Sequence, residues 1–211
     1  MSRCVVNVST GRYIQGQARL QNAVEGLGEK LIAWRQMPAG CPSHADVPYA
    51  FKAFALEAAS RDFDRLLWAD ASIVVARPLD AIWRHAAEHG VWFSRNGYRN
   101  SEWTALSAYP DLGVTPEENE QIEHVSATAF AIDLNHPKGQ KFLSAYYYLA
   151  SETRAFCGPW TGGIGVQHRH DQTAASVIAW RLGVPLTNPP AFFSYRGGET
   201  EDTTLIADGC Y

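Results

Sequence analysis

The sequence predicts an α/β fold, with a mainly parallel central sheet and helices on both faces. Three observations point there. Short apolar, β-branched runs alternate with segments of helical periodicity along the chain, the pattern of strand–helix–strand units. Gly, Pro and Asn punctuate most of the junctions. The 211 residues are 46% hydrophobic, with 7 Trp, 9 Tyr and 9 Phe, which is enough apolar surface to offset ordering entropy and to exclude a disordered chain. A single domain over residues 1–211 is expected.

Residues 4–9 (CVVNVS) read as the first strand, ended by Thr10-Gly11-Arg12. Ile14, Ala18, Leu20, Ala23, Val24 and Leu27 then recur at helical spacing. Residues 30–35 (KLIAWR) read as a second strand, and 37–48 as a proline-rich loop. Residues 49–59 (YAFKAFALEAA) are rich in strong helix formers, with Lys52 and Glu57 on the polar side. Over 64–76 two apolar runs, Leu66-Leu67-Trp68 and Ile73-Val74-Val75, flank an acidic interruption at Asp70.

Pro78 stops that run, 79–89 read as a helix, and 91–94 as a strand closed by Asn96-Gly97. Residues 98–122 read as an irregular insertion with at most a short helix from Pro116. A strand is expected over 125–134 and an aromatic helix from Pro137 to Glu152. A glycine-rich loop follows over 156–165, then a helix over 171–182 stopped by Gly183, and a last strand over 192–195. No internal repeat or low-complexity stretch is present.

Composition excludes several classes. Lys plus Arg number 18 against 22 Asp plus Glu, a net charge of −4 with no basic block, so the chain carries no strong signature of phosphate-backbone binding. No run approaches the ~18 apolar residues of a membrane span, and no secretory leader is recognisable; a cytoplasmic protein is expected. Cys4, Cys41, Cys157 and Cys210 form no C-x-x-C pair, which fits reduced thiols rather than a zinc site or a disulfide framework. The sequon Asn7-Val8-Ser9 falls inside a strand and is read as chance.

In open α/β sheets ligands bind at the carboxyl ends of the strands. Three polar groups belong there: Thr10-Gly11-Arg12-Tyr13, Asp70-Ala71-Ser72, and Asp171-Gln172, which follows His168 and His170. A carboxylate between two apolar segments is costly to bury without a cation or several hydrogen bonds, so Asp70 needs a partner. From spacing alone, Asp70 as a ligand group and Asp70 as a turn cap or arginine partner stand level. Lys52 reads as a solvated helix residue, and 10–13 as a capped turn. His168 and His170 lack the spacing of a metal motif, and Asp171 reads as a helix N-cap. Thr161-Gly162-Gly163-Ile164-Gly165 does not fit the dinucleotide fingerprint. Trp103, Tyr109, Trp160 and Tyr195 are candidates for stacking on sugar faces, against packing as the ordinary role.

Thr10-Gly11-x-Tyr13, Tyr49-x-x-Lys52, Leu67-Trp68-Ala69-Asp70-Ala71-Ser72 before Arg77-Pro78-Leu79, and Asp171-Gln172-Thr173 together resemble the nucleotide-diphospho-sugar transferases of the GT-A fold, glycogenin-like and related bacterial and viral enzymes. The resemblance spans most of the chain. In that family the short acidic element normally reads D-x-D and holds Mn2+ or Mg2+ against the donor diphosphate; here it reads D-x-S. The resemblance implies a glycosyltransferase moving a sugar from a nucleotide-sugar donor, such as a UDP-sugar, to a glycan, protein or other hydroxyl acceptor. Residues 1–97 would be the nucleotide-binding half and 98–211 the acceptor and sugar half. It implies Asp70 as metal ligand, Ser72 on the donor ribose or a metal-bound water, and Lys52 and Arg12 near the nucleotide or its phosphates. Thr10, Gly11 and Tyr13 would hold the nucleotide, with Tyr13 stacked on the base, and Asp171 and Gln172 would face the sugar. The chemistry asks for such groups, because breaking the anomeric bond leaves charge on the diphosphate that a cation or fixed positive groups must stabilise. A glycogenin-like hexosyltransferase of this kind would retain anomeric configuration. Two other readings remain: a catalytically silent GT-A-like module that binds a nucleotide sugar or glycan, supported by D-x-S, and a nucleotidyltransferase, which normally needs more acidic ligands.

Overall fold

A computed structural model describes residues 2–159 and 167–209. The glycine-rich stretch 161–165, Trp160 and Cys210 lie outside them. In chain order the elements are β1 (Arg3–Val8), α1 (Ile14–Gly26), β2 (Leu31–Trp34), α2 (Ala50–Ala59), β3 (Arg65–Ala69), β4 (Ile73–Val75), α3 (Asp80–His89), β5 (Val91–Trp92) and β6 (Arg95–Arg99). They continue with α4 (Tyr109–Leu112), α5 (Pro116–Gln121), β7 (Glu123–Val125), β8 (Ala129–Asp133), α6 (Pro137–Glu152), α7 (Asp171–Arg181), β9 (Phe193–Tyr195) and β10 (Leu205–Ala207).

The central sheet has the order β2-β1-β3-β8-β5. β1 pairs parallel with β2 and β3, while β8 runs antiparallel to both β3 and β5. All but β8 therefore point one way, the mostly parallel sheet expected. Strand alternation sends side chains to opposite faces. Cys4, Val6, Leu66, Trp68, Phe130 and Ile132 pack with α2 and α6 residues such as Leu56, Phe142 and Tyr146. Val5, Leu67, Trp92 and Ala131 face the other way, onto Leu20 and Val24 of α1 and Ile82 and Trp83 of α3. Helices thus cover both faces, and burying a side chain as large as Trp68 or Phe130 contributes about 1.5–3 kcal/mol.

Several elements differ from the sequence reading. Asn96-Gly97 does not close a strand. It lies inside β6, where Gly97 has φ 87° and the antiparallel ladder with β7 is irregular. The strand expected over 125–134 is two strands with a break between them, because Ser126–Thr128 turn away to serve the site described below. β10 carries no periodicity of its own, yet it pairs with β4 and β9 in a second, three-stranded sheet. The short helix expected from Pro116 forms, opened by a Thr115–Glu118 capping box. Asn7 is fully buried and donates to Ala69 O at 2.7 Å, so the sequon is not a surface site. Cys4, Cys41 and Cys157 are free thiols. No helix among the described residues is long and apolar enough to cross a membrane.

Candidate functional site

The carboxyl ends of β1 and β3 border a cleft of about 380 Å³. Its walls include Ser9, Thr10 and Tyr13 after β1, His44 and Tyr49 before α2, and Asp70 and Ser72 after β3. A shallower depression of about 540 Å³ runs along β2 between Gln17 and Arg35, but it carries no carboxylate.

α1 comes close enough to the Asp70–Ser72 turn to fix it. At Gly16 a Cβ would stand 2.2 Å from Ala71 O, so only glycine allows this approach. Gly11, at φ +55°, supplies the left-handed step between β1 and the helical turn that carries Tyr13. Tyr13 is exposed, and the Arg12 guanidinium lies 5.2 Å from its ring centroid and donates to its hydroxyl at 3.3 Å. Arg12 therefore reaches the cleft through Tyr13 rather than lining it.

Beneath the cleft the structure joins residues from three elements. Lys52 Nζ on α2 lies 3.2 Å from Asp70 Oδ1 and 3.0 Å from Asp171 Oδ2, the first residue of α7, and donates to Ala127 O at 2.9 Å. Its side chain is 4% exposed. With all three ammonium hydrogens engaged, Lys52 departs from the expected direct approach to nucleotide phosphates and from the solvated-helix reading alike; it acts on the cleft by holding Asp70. The rings of Tyr49 and Trp68 flank the ammonium at 5.3 and 5.5 Å. Burial alone would lower the Lys52 pKa, but Asp171 and Asp70 outweigh it and the net shift is upward.

Asp70 keeps 31% side-chain exposure. Its Oδ1 also accepts from Trp68 Nε1 at 2.8 Å, while Oδ2 has no hydrogen-bonding partner among the described residues. Its pKa is raised, chiefly by burial, with Lys52 and Trp68 pulling the other way and Asp171 adding to the rise. Asp171 is buried, accepts from Tyr146 OH at 3.4 Å, and is raised for the same leading reason. One ammonium against two ionised carboxylates leaves an excess of negative charge.

Two strained residues deliver this cluster. Tyr49 (φ 62°) precedes α2 and His170 (φ 50°, ψ −117°) precedes α7, and their rings lie 5.6 Å apart. Such conformations cost roughly 1–3 kcal/mol each and persist where surrounding structure enforces them. His170 Nδ1 pairs with Phe156 O and His168 Nε2 with Ala155 O, and both rings are buried. Among the described residues no group of three His, Cys, Asp or Glu side chains stands close enough to hold a metal ion.

Thr10, Tyr13, Asp70 and Ser72 thus share the cleft, with Lys52 and Asp171 under it. Gln172 lies beside Asp171 but turns its amide nitrogen to His124 Nδ1, 3.2 Å away. His44 and Tyr49 line the cleft without having been candidate residues; only the position of Tyr49 in Tyr49-x-x-Lys52 pointed to it. Of the candidate stacking aromatics, Trp103 is buried beneath the Arg169 guanidinium, Tyr109 accepts from Asn119, and Tyr195 is exposed on β9.

No protein family matches the chain and no curated protein is detectably similar in sequence. Solved structures are similar in fold. A glycosyltransferase involved in glycosylation of the major capsid of PBCV-1 superposes with a TM-score of 0.57 at 10% identity, covering 97% of this chain and 92% of that one. Mouse xyloside xylosyltransferase 1 gives 0.55 at 9% identity over 100% and 98%. The galactosyltransferase LgtC, solved with donor and acceptor sugar analogues, gives 0.52 at 10% over 97% and 86%. The chain has the GT-A fold of these enzymes, as its motifs implied.

Proposed function

We propose that the cleft binds a nucleotide-sugar donor and that the protein transfers the sugar to a hydroxyl acceptor, on a glycan, a protein or another molecule. The observation that carries this reading is Asp70: a carboxylate at the carboxyl end of a central strand, fixed through Oδ1 by Lys52 and Trp68, with Oδ2 left for a ligand. The glycosyltransferases that share the fold support it.

Tyr13 stacks on the base, and Thr10 and Ser72 bind the nucleoside. Arg12 adds positive charge at the rim, Asp171 under the cleft fixes Lys52, and Gln172 in the first turn of α7 is the residue assigned to the sugar. Asp70 Oδ2 is the oxygen suited to Mn2+ or Mg2+. A single carboxylate fits a cation that draws most of its ligands from substrate phosphates and water. When bound, the cation neutralises charge on the departing diphosphate. Lys52 favours the ionised form of Asp70 against its burial and fixes the carboxylate through Oδ1.

Melting curves across a panel of nucleotide sugars, each with Mn2+ and with chelator, test this reading. A rise in Tm for one donor, accompanied by its turnover, is expected; no rise with any donor contradicts it. Ser72, standing where a second acid would be, favours a second reading as a catalytically silent nucleotide-sugar or glycan-binding module. That reading expects the rise without turnover.

A further inference from the structure

We propose that a second pocket, away from the cleft, is a saccharide-binding site. It takes a neutral pyranose whose flat face rests on Trp180 and whose hydroxyls are held by Arg95, Arg99, Gln121 and Glu123. The inference does not depend on the donor reading, and it gives the protein a hold on a glycan outside the cleft.

The pocket encloses about 390 Å³, against about 380 Å³ for the cleft, and the two share no lining residue. Both volumes fall in the range of small-ligand sites. One wall is a face of α7 and of the turn that ends it: Ser176, Ala179, Trp180 and Gly183 follow the i, i+3, i+4, i+7 spacing of one helix side. Ala179 and Gly183 have little or no side chain, which makes the hollow, and Trp180, 42% exposed, stands beside it. The hydroxyl of Ser176 is already spent, donating to Gln172 O and accepting from Val125 N. The other wall is the β6–β7 pair, with Arg95, Arg99 and Glu123, and Gln121 just before it. Trp180 lies nine residues along α7 from Asp171, about 13 Å at the helical rise, which separates the pocket from the acidic cluster under the cleft.

The chemistry of the lining selects the ligand. Arg95 Nη1 lies 3.1 Å from Glu123 Oε1, with the side chains 35% and 38% exposed. Arg99 is exposed, and its Nη1 reaches Gln121 O only at 3.5 Å. Arg95 Nε is buried and has no acceptor among the described residues, so a ligand oxygen that draws the guanidinium toward it supplies a missing bond. Donors and acceptors thus stand side by side on planar heads. A hydroxyl is both, so neighbouring hydroxyls of a sugar ring use a guanidinium and a carboxylate at once. Glu123 works against an anion, because it faces Arg99 in the ladder and pairs with Arg95; a phosphate or sulfate between the arginines meets a carboxylate already there. A purely apolar ligand would strip water from three charged side chains. A pyranose avoids both costs, since its C–H face covers the indole and its hydroxyls replace water on the charged heads.

Titration of the full chain with trisaccharides, followed by 1H–15N NMR of the Trp180 indole, tests the site. The signal is assigned by its absence from Trp180→Phe. The probes are maltotriose, cellotriose, mannotriose and triacetylchitotriose, with sodium sulfate as the anion probe. At least one trisaccharide is expected to shift the indole saturably, with Kd of about 1 mM. Arg99→Ala and Glu123→Gln should each weaken that binding about fivefold, the scale of one hydrogen bond. Arg99 is exposed, so Arg99→Ala should melt with the unsubstituted protein. UDP with Mn2+ should leave the trisaccharide affinity unchanged, whether or not UDP itself binds. A silent indole with every trisaccharide would overturn the proposal, as would equal affinity in both variants. Tighter binding of sulfate than of any sugar would make the pocket an anion site instead, and displacement of the sugar by UDP would place it in the cleft; either result contradicts the assignment.

Discussion

Lys52 Nζ lies 3.0 Å from Asp171 Oδ2, an ion pair that ties the middle of α2 to the first residue of α7 in the interior of the protein. Because Lys52 also holds Asp70, removing its charge strands two carboxylates together. Lys52→Met is predicted to cost about 3–5 kcal/mol of stability, the usual penalty for breaking a buried pair from one side. Equilibrium denaturation checks this.

The pH dependence has two parts of opposite sign. Burial raises the folded-state pKa of Asp70 and Asp171 above the ordinary 3.8. From that value up to the raised one the folded protein keeps a proton that the unfolded chain releases, so folding stability falls as pH rises through the window. Donor binding runs the other way, because Asp70 must be ionised to hold a cation. Cation-dependent donor affinity should therefore fade on acidification with a midpoint above 3.8. Tm and donor affinity measured over one pH series test both slopes.

Gly16→Ala places a methyl group 2.2 Å from Ala71 O. α1 and the Asp70–Ser72 turn must separate, at a cost of about 1–3 kcal/mol. The shift reaches the cleft, so donor affinity should fall along with Tm. A stable variant with unchanged affinity would show that the close approach does not set the turn.

Tyr13 is 44% exposed and its ring packs mainly with Arg12. Tyr13→Ala should change stability by no more than ~0.5 kcal/mol. Loss of a stacked base should weaken donor binding by about 1–3 kcal/mol, measured by titration calorimetry.

The parts of the site on long, strongly patterned elements were legible in the sequence. β1, α2, β3 and α7 announce themselves by periodicity, and the interruption at Asp70 marks the end of a central strand, although Asp171, read as an N-cap, is the first residue of α7 and His170 stands at the cap position without a side-chain cap bond. What lay hidden was burial and long-range pairing. Lys52 shares a helix with the half-buried Glu57 and looked solvated; only the packing of α7 against α6 and the turn at Ala127 encloses it. His44 and Tyr49 come from a proline-rich loop without periodicity. β10 has three residues and gains its identity from β4, far back in the chain. His124 falls between the insertion read over 98–122 and the strand read over 125–134, and its contacts Asn96 and Gln172 come from distant segments.

Asp70→Asn is the most direct test of the proposed transfer. The amide keeps an acceptor for Trp68 Nε1 and leaves Lys52 with one carboxylate, so the fold should melt close to the unsubstituted protein. Release of nucleoside diphosphate from the donor that raises Tm, measured with Mn2+ for both proteins, should drop at least about a hundredfold in the variant, the scale of losing one strong electrostatic contact at the reacting group. Equal release by a folded Asp70→Asn protein would contradict the account.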